Sequence, residues 1–249
     1  MSESLYVSEI FSSIQGEGML AGYRQIFVRL TECNLDCRYC DTDYAKSDIC
    51  RIETKPGSGT FITIPQPQTL AKTAALLHDW LQQLPGAHHS VSFTGGEPLL
   101  HGDVLAEWFP VIRKILPIHL ETNGTLPLAL HKVREYVDYI SMDMKLPSTA
   151  GCTEQLWDRH AHFLRECYGR NVSVKIVVGE ATTDGEIIQV CELISSVDAA
   201  LPLFLQPVSL VNGRIGISAA GIFYLQELAS CRLNNVRVMP QMHKLLGAL

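Results

Sequence analysis

Residues 26–40 decide the fold, and they read Ile26-Phe27-Val28-Arg29-Leu30-Thr31-Glu32-Cys33-Asn34-Leu35-Asp36-Cys37-Arg38-Tyr39-Cys40. The first five residues are an apolar run that predicts a short buried strand. Three cysteines follow it as Cys33, Cys37 and Cys40, and so tight a loop can bring three thiolates to one point. The segment therefore predicts a strand that ends in a metal-binding loop.

The kind of metal is open on spacing alone, because thiolate sulfur suits both zinc and iron–sulfur clusters. A structural zinc site needs four closed ligands, and only Cys50, ten residues after Cys40, could add a fourth sulfur nearby. A cubane cluster held by three cysteines leaves one iron open for chemistry. The spacing favours the iron cluster, with zinc as the alternative. The other cysteines stand singly and are interpreted as buried small hydrophobes: Cys152, Cys167, Cys191 and Cys231.

Composition predicts one globular domain over residues 1–249, since α/β chains of this length commonly form a single unit. Hydrophobic residues make up 47% of the chain and charged residues 18%, which excludes a disordered protein. The formal net charge is -6 and no basic stripe is present. Nucleic-acid binding therefore lacks its electrostatic basis and is not expected.

Two features of the chain predict a cytoplasmic protein. The segment Met1-Ser2-Glu3-Ser4 has no cationic part followed by an apolar part, so no secretion signal is expected. Eight cysteines in such a chain indicate a reducing compartment, where free thiols and metal ligands are commoner than disulfides. No apolar run has the length of a bilayer span, so no membrane association is expected.

Strand and helix patterns alternate along most of the chain. Strand patterns start near residues 26, 90, 117, 139, 172 and 203. Helical patterns cover residues 69–84, 103–116, 127–135, 153–168, 183–196 and 217–232. This alternation predicts right-handed βαβ units and an α/β fold, a partial (β/α)6 barrel with a parallel sheet.

The segments outside this alternation predict turns and loops. Residues 5–24 predict a hairpin turn around Gly16 and Gly18. Residues 41–67 are punctuated by Gly, Pro and Ser and predict a loop or a small excursion of the chain. Asp103 is the expected N-cap of the second helix.

Polar residues recur at the predicted strand ends. Parallel barrels carry their active sites on the face where the strands end. These groups are therefore expected to converge on one mouth that faces the cysteine loop: Gly95-Gly96-Glu97, Glu121-Thr122-Asn123, Ser141, Asp143, Lys145, Lys175 and Gln206.

The CxxxCxxC cysteines together with Gly95-Gly96-Glu97-Pro98 resemble the radical S-adenosylmethionine enzymes, in which both motifs occur in this order. Within that superfamily, nearly the whole chain resembles the 7-carboxy-7-deazaguanine synthase family. Further segments carry this resemblance: Ser13-Ile14-Gln15-Gly16-Glu17-Gly18, Phe27-Val28-Arg29-Leu30, Cys40-Asp41-Thr42, Glu121-Thr122-Asn123-Gly124, the strand from Ser141 to Lys145, Leu205-Gln206-Pro207-Val208 and Gln241-Met242-His243-Lys244.

The resemblance implies a carbon–nitrogen lyase that converts 6-carboxy-5,6,7,8-tetrahydropterin to 7-carboxy-7-deazaguanine with loss of ammonia, in queuosine and 7-deazapurine biosynthesis. It implies a [4Fe–4S] cluster, S-adenosylmethionine and Mg²⁺ as cofactors. It also implies a homodimer and an electron donor such as flavodoxin or ferredoxin. The alternatives are a small activating enzyme for glycyl-radical proteins and, from another class, a zinc-stabilised binding protein that uses Cys50.

The resemblance also implies a role for individual residues. Cys33, Cys37 and Cys40 are the catalytic cluster ligands, and Thr42 binds Mg²⁺ through oxygen. The implied contacts to S-adenosylmethionine are Tyr39, Cys40, Asp41, Gly96, Ser141, Asp143, Lys145, Gln206, Pro207 and Val208. The implied substrate contacts are Ile14, Gln15, Gly16, Arg29 and Thr94. The fork of Arg29 suits a carboxylate or a pterin edge, with an ion pair inside the barrel as the other interpretation. The tail from Gln241 to Lys244 is expected to close over the substrate.

Overall fold

A computed structural model describes residues 4–151, 156–210 and 213–248. The strands are β1 Ser4–Leu5, β2 Val7–Ile14, β3 Arg24–Leu30, β4 Ile49–Glu53, β5 Phe61–Pro65, β6 Gln68–Thr69, β7 Ser90–Gly95, β8 Ile118–Thr122, β9 Tyr139–Asp143, β10 Val172–Val178, β11 Leu203–Pro207 and β12 Val236–Val238. The α-helices are α1 Leu70–Gln83, α2 Gly102–Ile112, α3 Pro127–Val133, α4 Pro147–Ala150, α5 Leu156–Glu166, α6 Asp184–Ser195, α7 Ala219–Ser230 and α8 Met242–Leu246. Short 3-10 helices span Gly18–Leu20 and Pro98–His101.

Ten of the strands form one open sheet in the order β12-β11-β10-β9-β8-β7-β3-β2-β4-β5. Every neighbouring pair from β3 to β12 is parallel. The predicted α/β fold, a partial barrel with a parallel sheet, is confirmed, and the sheet is open. The strand β12, which adds a parallel strand beyond the six predicted, forms one edge.

The N-terminal half of the sheet departs from the parallel pattern. The predicted hairpin is confirmed, because β2 pairs antiparallel with β3 over Val7–Ile14. The prediction of a loop over residues 41–67 is wrong in part, because β4 and β5 pair there as a second antiparallel hairpin. The Gly, Pro and Ser residues that suggested a loop belong to the turn between these two short strands.

Most helices lie where the sequence predicts them, with local caps. Thr69 caps α1 by accepting a hydrogen bond from the Lys72 N–H, and Thr183 forms a capping box at the start of α6. The assignment of Asp103 as an N-cap is wrong, since α2 continues directly from a 3-10 helix and Asp103 lies inside its first turn. The predicted start of the helix at residue 153 lies outside the described residues.

The two faces of the parallel strands differ in polarity because side chains alternate along a strand. One face carries residues such as Val91, Phe93 and Leu120, which are fully buried in the hydrophobic core. The other face lines the barrel interior, and register pairs place its polar side chains side by side: Gln25 with Ser90, Arg29 with Thr94, Glu121 with Ser141, and Asp143 with Lys175. The inner face therefore supplies a polar floor beneath the strand ends.

The single cysteines fall into two groups. Cys167 and Cys191 are buried, as predicted, whereas Cys231 is exposed, so its prediction as a buried hydrophobe is wrong. Cys231 lies directly after α7, at a helix end that faces outward. Cys152 lies outside the described residues. Over the part of the chain that the structure describes, no helix has both the length and the apolar character needed to cross a membrane.

Candidate active site

A pocket of about 750 Å³ opens at the C-terminal ends of the parallel strands. Every residue assigned a site role from the sequence lines it: Ile14, Gln15, Gly16, Arg29, Cys33, Cys37, Tyr39, Cys40, Asp41, Thr42, Thr94, Gly96, Ser141, Asp143, Lys145, Gln206, Pro207 and Val208. The strand-end groups expected at one mouth also line it, except Glu97, which is fully buried behind the glycine turn. What each of these residues binds stays a prediction at this point.

The cysteine loop follows β3 and is irregular. Cys33 and Cys37 are half-buried and Cys40 is exposed, so all three thiols can be reached from the pocket. Two hydrogen bonds stabilise the loop. The Cys40 N–H donates to the Cys37 carbonyl, and the Arg38 N–H donates to the carbonyl of Ala150, the last residue of α4. Burial raises the pKa of the Cys33 thiol above its usual value. A metal that binds this thiol therefore has to displace its proton.

The two glycines after β7 allow the cysteine loop to pass close to the sheet. A Cβ on Gly96 would lie 1.9 Å from the Glu32 carbonyl oxygen, next to the first cysteine. Gly95 has φ +118° and lies against the Leu30 backbone, a conformation that favours glycine. The Gly96 N–H donates to Leu30 and the Glu97 N–H donates to Glu32. These two hydrogen bonds attach the turn to the start of the cysteine loop.

The buried side chain of Glu97 stabilises this turn through hydrogen bonds. Its carboxylate accepts hydrogen bonds from the Leu99 N–H, the Asn123 N–H and the Thr122 hydroxyl at 3.0, 2.7 and 2.8 Å. Burial raises its pKa to about 7, against the effect of these donors. Glu97 therefore connects the end of β7 with the end of β8.

Two lysines and two carboxylates form a compact charge cluster on one wall. Asp143 lies 2.9 Å from both Lys145 and Lys175, and Lys175 also pairs with Glu17. Burial opposes ionisation, but Lys175 and the hydrogen bonds to Glu17 outweigh it and hold the pKa of Glu17 below its usual value. Burial also opposes ionisation of Asp143, but Lys145 and Lys175 hold its pKa below the usual value. The charge cluster therefore holds two positive and two negative charges.

The charge cluster reaches the cysteine loop through Tyr39. The Lys145 ammonium donates to the Tyr39 hydroxyl at 3.3 Å and lies 5.2 Å from the centre of its ring. Burial, followed by the nearby Asp143 charge, raises the pKa of the Tyr39 phenol. Tyr39 therefore stays a neutral phenol between the cysteine loop and the two lysines of the charge cluster.

The donor set fits the implied cofactors. Three thiols face one pocket, thiolate sulfur is the ligand that iron–sulfur clusters use, and the nearest other cysteine, Cys50, is fully buried in the hydrophobic core. Cys50 does not line the pocket that the three thiols share, so the structure does not support the zinc interpretation that needed a fourth sulfur from it. Burial raises the pKa of the Cys50 thiol to about 12. Asp143 Oδ1 is buried without a hydrogen-bond partner on the pocket wall, which leaves an acceptor for a bound ligand. Among the described residues, no group of three or more His, Cys, Asp or Glu side chains is close enough together to bind a metal ion as it stands.

The neighbouring strand β8 carries a carboxylate that the sequence analysis placed at the mouth without a binding role. Glu121 accepts hydrogen bonds from Gln15 Nε2, the Thr94 hydroxyl and the Ser92 hydroxyl at 2.6, 2.7 and 3.2 Å. Its side chain remains 29% exposed, toward the pocket. The polar alternation Ser90-Val91-Ser92-Phe93-Thr94 was the signal in the sequence that this face is lined with hydrogen-bonding groups.

Arg29 combines the two interpretations that the sequence left open. Its Nε donates to Glu9 Oε1 at 2.8 Å, so it does form an ion pair inside the sheet. It also lines the pocket, and its guanidinium lies 5.4 Å from the centre of the Phe11 ring. The ion pair therefore orients the guanidinium, and its terminal nitrogens are placed for a ligand.

The C-terminal segment lies over the pocket mouth. The Met242 N–H donates to the Gly16 carbonyl, and a Cβ on Gly16 would lie 2.1 Å from His243 Nδ1. Lys244 forms an ion pair with Asp41 at 2.7 Å. Gln241 donates to Glu17 and accepts from Ser209. The tail thus contacts both the glycine turn after β2 and the cysteine loop.

Comparison with known proteins identifies relatives over the whole chain. The Radical SAM superfamily matches residues 28–194. A 7-carboxy-7-deazaguanine synthase of Geobacter sulfurreducens is 48% identical over 244 residues, which cover 98% of this chain and 97% of that protein. One of Methanothermobacter thermautotrophicus is 34% identical over 260 residues, covering 97% and 96% of the two chains.

The fold also matches a solved structure. The crystal structure of QueE from Escherichia coli superimposes with a TM-score of 0.60 and covers 96% of this chain and 95% of that one. Sequence identity in this match is 21%, so it supports the architecture alone.

Proposed function

This chain belongs to the 7-carboxy-7-deazaguanine synthase family of the radical S-adenosylmethionine superfamily, and from that membership we propose how its pocket works. The protein is a carbon–nitrogen lyase that converts 6-carboxy-5,6,7,8-tetrahydropterin to 7-carboxy-7-deazaguanine with loss of ammonia. The observation that carries the proposal is the meeting of three thiols and a polar floor in one pocket. The alternative of a glycyl-radical activating enzyme is not favoured, because relatives with the synthase name span nearly the whole chain.

The cysteine loop holds the redox cofactor. Cys33, Cys37 and Cys40 are the cluster ligands, and three ligands leave one iron of a [4Fe–4S] cluster open. When bound, the cluster and S-adenosylmethionine supply a carbon-centred radical that removes a hydrogen atom from the substrate. The glycines behind the loop keep its backbone close to the strand ends.

The wall with the charge cluster binds S-adenosylmethionine. The Lys145 ammonium suits its carboxylate, and the unpartnered Asp143 Oδ1 suits a hydroxyl or ammonium donor. The methionyl amine needs an acceptor, and because the Gly96 N–H already donates to Leu30, the Gly96 carbonyl is the group that serves it. The remaining contacts come from Tyr39, Asp41, Ser141, Gln206, Pro207 and Val208.

The part of the pocket lined by Glu121, Thr94 and Arg29 binds the pterin. The pyrimidine edge of a pterin presents N–H donors side by side, and a carboxylate such as Glu121 accepts two of them in parallel. Gln15 and Thr94 orient that carboxylate, while the Arg29 guanidinium suits the carboxylate of the substrate. Ile14 and Gly16 flank the ring. With the cofactors bound, the carbon that bears the substrate carboxylate would be the one to lose its hydrogen atom.

Thr42 is the protein ligand of Mg²⁺ in this proposal. It follows the third cysteine and lines the pocket. A hard cation prefers oxygen ligands and keeps several positions for water and substrate carboxylate. Through Thr42, the chain holds the metal so that the substrate carboxylate is oriented relative to the cysteine loop.

The chain works as one domain over residues 1–249 and as a homodimer in the cytoplasm. Its electron comes from a flavodoxin or a ferredoxin. A reducing compartment suits a protein whose exposed thiols include Cys40 and Cys231. The net charge of -6 disfavours a nucleic-acid partner.

The test is anaerobic incubation of the reconstituted protein with S-adenosylmethionine, Mg²⁺, a reductant and 6-carboxy-5,6,7,8-tetrahydropterin, followed by mass spectrometry. We expect 7-carboxy-7-deazaguanine, and omission of any component should remove it. Formation of 5′-deoxyadenosine without this product would keep the radical chemistry and refute the substrate. Formation of neither by cluster-loaded protein would refute both.

A further inference from the structure

A chain of linked hydrogen bonds begins at the glycine turn after β2 and runs beneath the pocket. The Glu17 N–H, which can only donate, donates to Gln15 Oε1 at 3.0 Å. The other end of that amide is Nε2, which donates to the Glu121 carboxylate at 2.6 Å. A backbone donor on one side and a carboxylate on the other determine the orientation of the Gln15 amide.

This orientation determines the orientation of the next amide in the chain of hydrogen bonds, that of Gln25. Gln15 Nε2 also donates to Gln25 at 3.0 Å, so the atom of Gln25 that faces it is the acceptor Oε1. The Gln25 amide nitrogen therefore points the other way. It donates to the Ser90 hydroxyl at 2.7 Å and faces His119 Nδ1 at 3.3 Å.

The amide nitrogen of Gln25 determines the tautomer of His119. An amide nitrogen is only a donor, so His119 Nδ1 has to be the acceptor and carries no proton. The imidazole proton then lies on Nε2, which is 2.8 Å from the Ser141 hydroxyl oxygen. Ser141 accepts this hydrogen bond, which leaves its own hydroxyl proton for a partner in the pocket that it lines.

We propose that His119 is a positioning residue: a neutral imidazole with its proton on Nε2, which makes the Ser141 hydroxyl a hydrogen-bond donor into the pocket. The ligand atom that Ser141 recognises is therefore an acceptor, an oxygen of the ribose or of the carboxylate of S-adenosylmethionine. In this last step the inference rests on the proposed function.

The surroundings of His119 favour the neutral ring. Its side chain is 1% exposed, and burial holds its pKa below the usual value, although the Glu121 carboxylate acts in the opposite direction. Ser92 lies 3.1 Å from Nδ1, and its hydroxyl can either donate to that nitrogen or donate to Glu121 and accept. The assignment of Nδ1 as the acceptor therefore rests on the Gln25 amide nitrogen, which can only donate.

His160 provides an internal reference with the opposite tautomer. The Lys145 N–H donates to His160 Nε2 at 3.2 Å, and His160 Nδ1 faces the Gly124 carbonyl at 3.1 Å. A backbone donor at Nε2 and a backbone acceptor at Nδ1 require the proton on Nδ1. The two buried histidines should therefore give opposite patterns in one spectrum.

The first experiment reads the tautomers directly. Anaerobically purified, cluster-loaded protein labelled with ¹⁵N-histidine is examined by long-range ¹H–¹⁵N NMR at neutral pH, with His119→Gln and His160→Gln variants assigning the two signals. We expect the Nε2–H tautomer for His119 and the Nδ1–H tautomer for His160. An Nδ1–H tautomer or a doubly protonated ring at His119 would overturn the inference.

The second experiment is a double-mutant cycle on S-adenosylmethionine affinity, measured by equilibrium dialysis. His119→Leu and Ser141→Ala should each raise the dissociation constant about fivefold, the effect of one neutral hydrogen bond. The double variant should be no weaker than either, and His119→Gln, which keeps a donor near Nε2, should recover wild-type affinity. Additive losses, or a Gln variant as weak as Leu, would overturn the inference.

The tautomer and the reaction can fail separately. Product formation in a protein whose His119 carries its proton on Nδ1 refutes the positioning role alone. The expected tautomers and a non-additive cycle in a protein that makes no 7-carboxy-7-deazaguanine refute the proposed substrate alone.

Discussion

The cysteine loop and the polar floor lie in the same pocket but are built differently. The loop has no regular secondary structure between Cys33 and Asp43, and Cys40 is exposed. The floor is supported from below by Gln15, Gln25 and His119, each at most 4% exposed and hydrogen-bonded to its neighbours. The floor is thus organised by the chain itself, whereas the thiols can take their final geometry from the metal they hold.

This difference predicts that the loop determines activity and the interior determines stability. The largest expected effect on activity is that of Cys37→Ala, which removes one of three thiols that an open-iron cluster needs. The variant should lose cluster absorbance and product formation altogether. Its apoprotein should unfold within about 1 kcal/mol of wild type in urea, because the loop is exposed.

Cys231→Ala is the matched control for this variant. Its thiol is exposed and lies after α7, away from the residues that line the pocket. Cluster content and activity should be unchanged. A Cys37→Ala protein that keeps its cluster would contradict the assignment of the ligand.

Glu17→Gln should give the largest loss of stability. The change leaves Lys145 and Lys175 with a single carboxylate, Asp143. Because Glu17 and Lys175 are 21% and 16% exposed, the cost should lie above that of a surface pair but below that of a fully buried one, about 3–5 kcal/mol. Asp103→Asn breaks the exposed pair with Lys132 and should cost at most about 1 kcal/mol. Urea unfolding of the apoproteins compares the two, and equal costs would show that the charge cluster is not effectively buried.

Acid should destabilise the protein through the same cluster. The pKa values of Glu17 and Asp143 lie below their usual 4.5 and 3.8. Their ionised forms therefore contribute stability that is complete above these usual values and is lost as the pH falls through the lowered ones. The free energy of unfolding should fall on acidification below pH 4.5, with a shallower slope in Glu17→Gln. Parallel slopes would exclude Glu17 as the source.

Gly96→Ala tests the contact between the glycine turn after β7 and the cysteine loop. Its Cβ would lie 1.9 Å from the Glu32 carbonyl oxygen, so the start of the cysteine loop has to move. We expect overpacking of about 1–3 kcal/mol and a lower iron content after reconstitution. Gly185→Ala in α6 is the control, since the nearest atom to its Cβ would be 4.0 Å away. Wild-type iron content in Gly96→Ala would mean that the loop adapts freely.

The smallest effect is expected at the tail. Lys244→Met removes the ion pair with Asp41, whose partners are 41% and 60% exposed. Such pairs contribute at most about 1 kcal/mol, so stability should hardly change. The tail contacts the glycine turn next to the substrate wall, so KM for the pterin should rise about two- to threefold with little change in kcat. A loss of kcat without a change in KM would contradict a closing role.

Local patterns were enough for part of this molecule. The apolar run before Cys33 and the alternation of strand and helix patterns predicted the parallel sheet and the position of the pocket. The hairpin of β4 and β5 was missed because its strands are short and its turn is rich in Gly, Pro and Ser. Asp103 was misread because a preceding 3-10 helix removes the need for an N-cap.

The sequence by itself determined the cysteine loop, the glycine turn and the succession of strands and helices along the chain, because each follows from neighbouring residues and local backbone preferences. Only the tertiary structure decided which polar groups meet. Lys175 and Glu17 are 158 residues apart, and Gln25 and His119 are 94 apart, yet each pair is in contact. Such pairs arise from strand order and register, which bring distant residues onto one face, and the orientation of each amide and imidazole follows from its partner there.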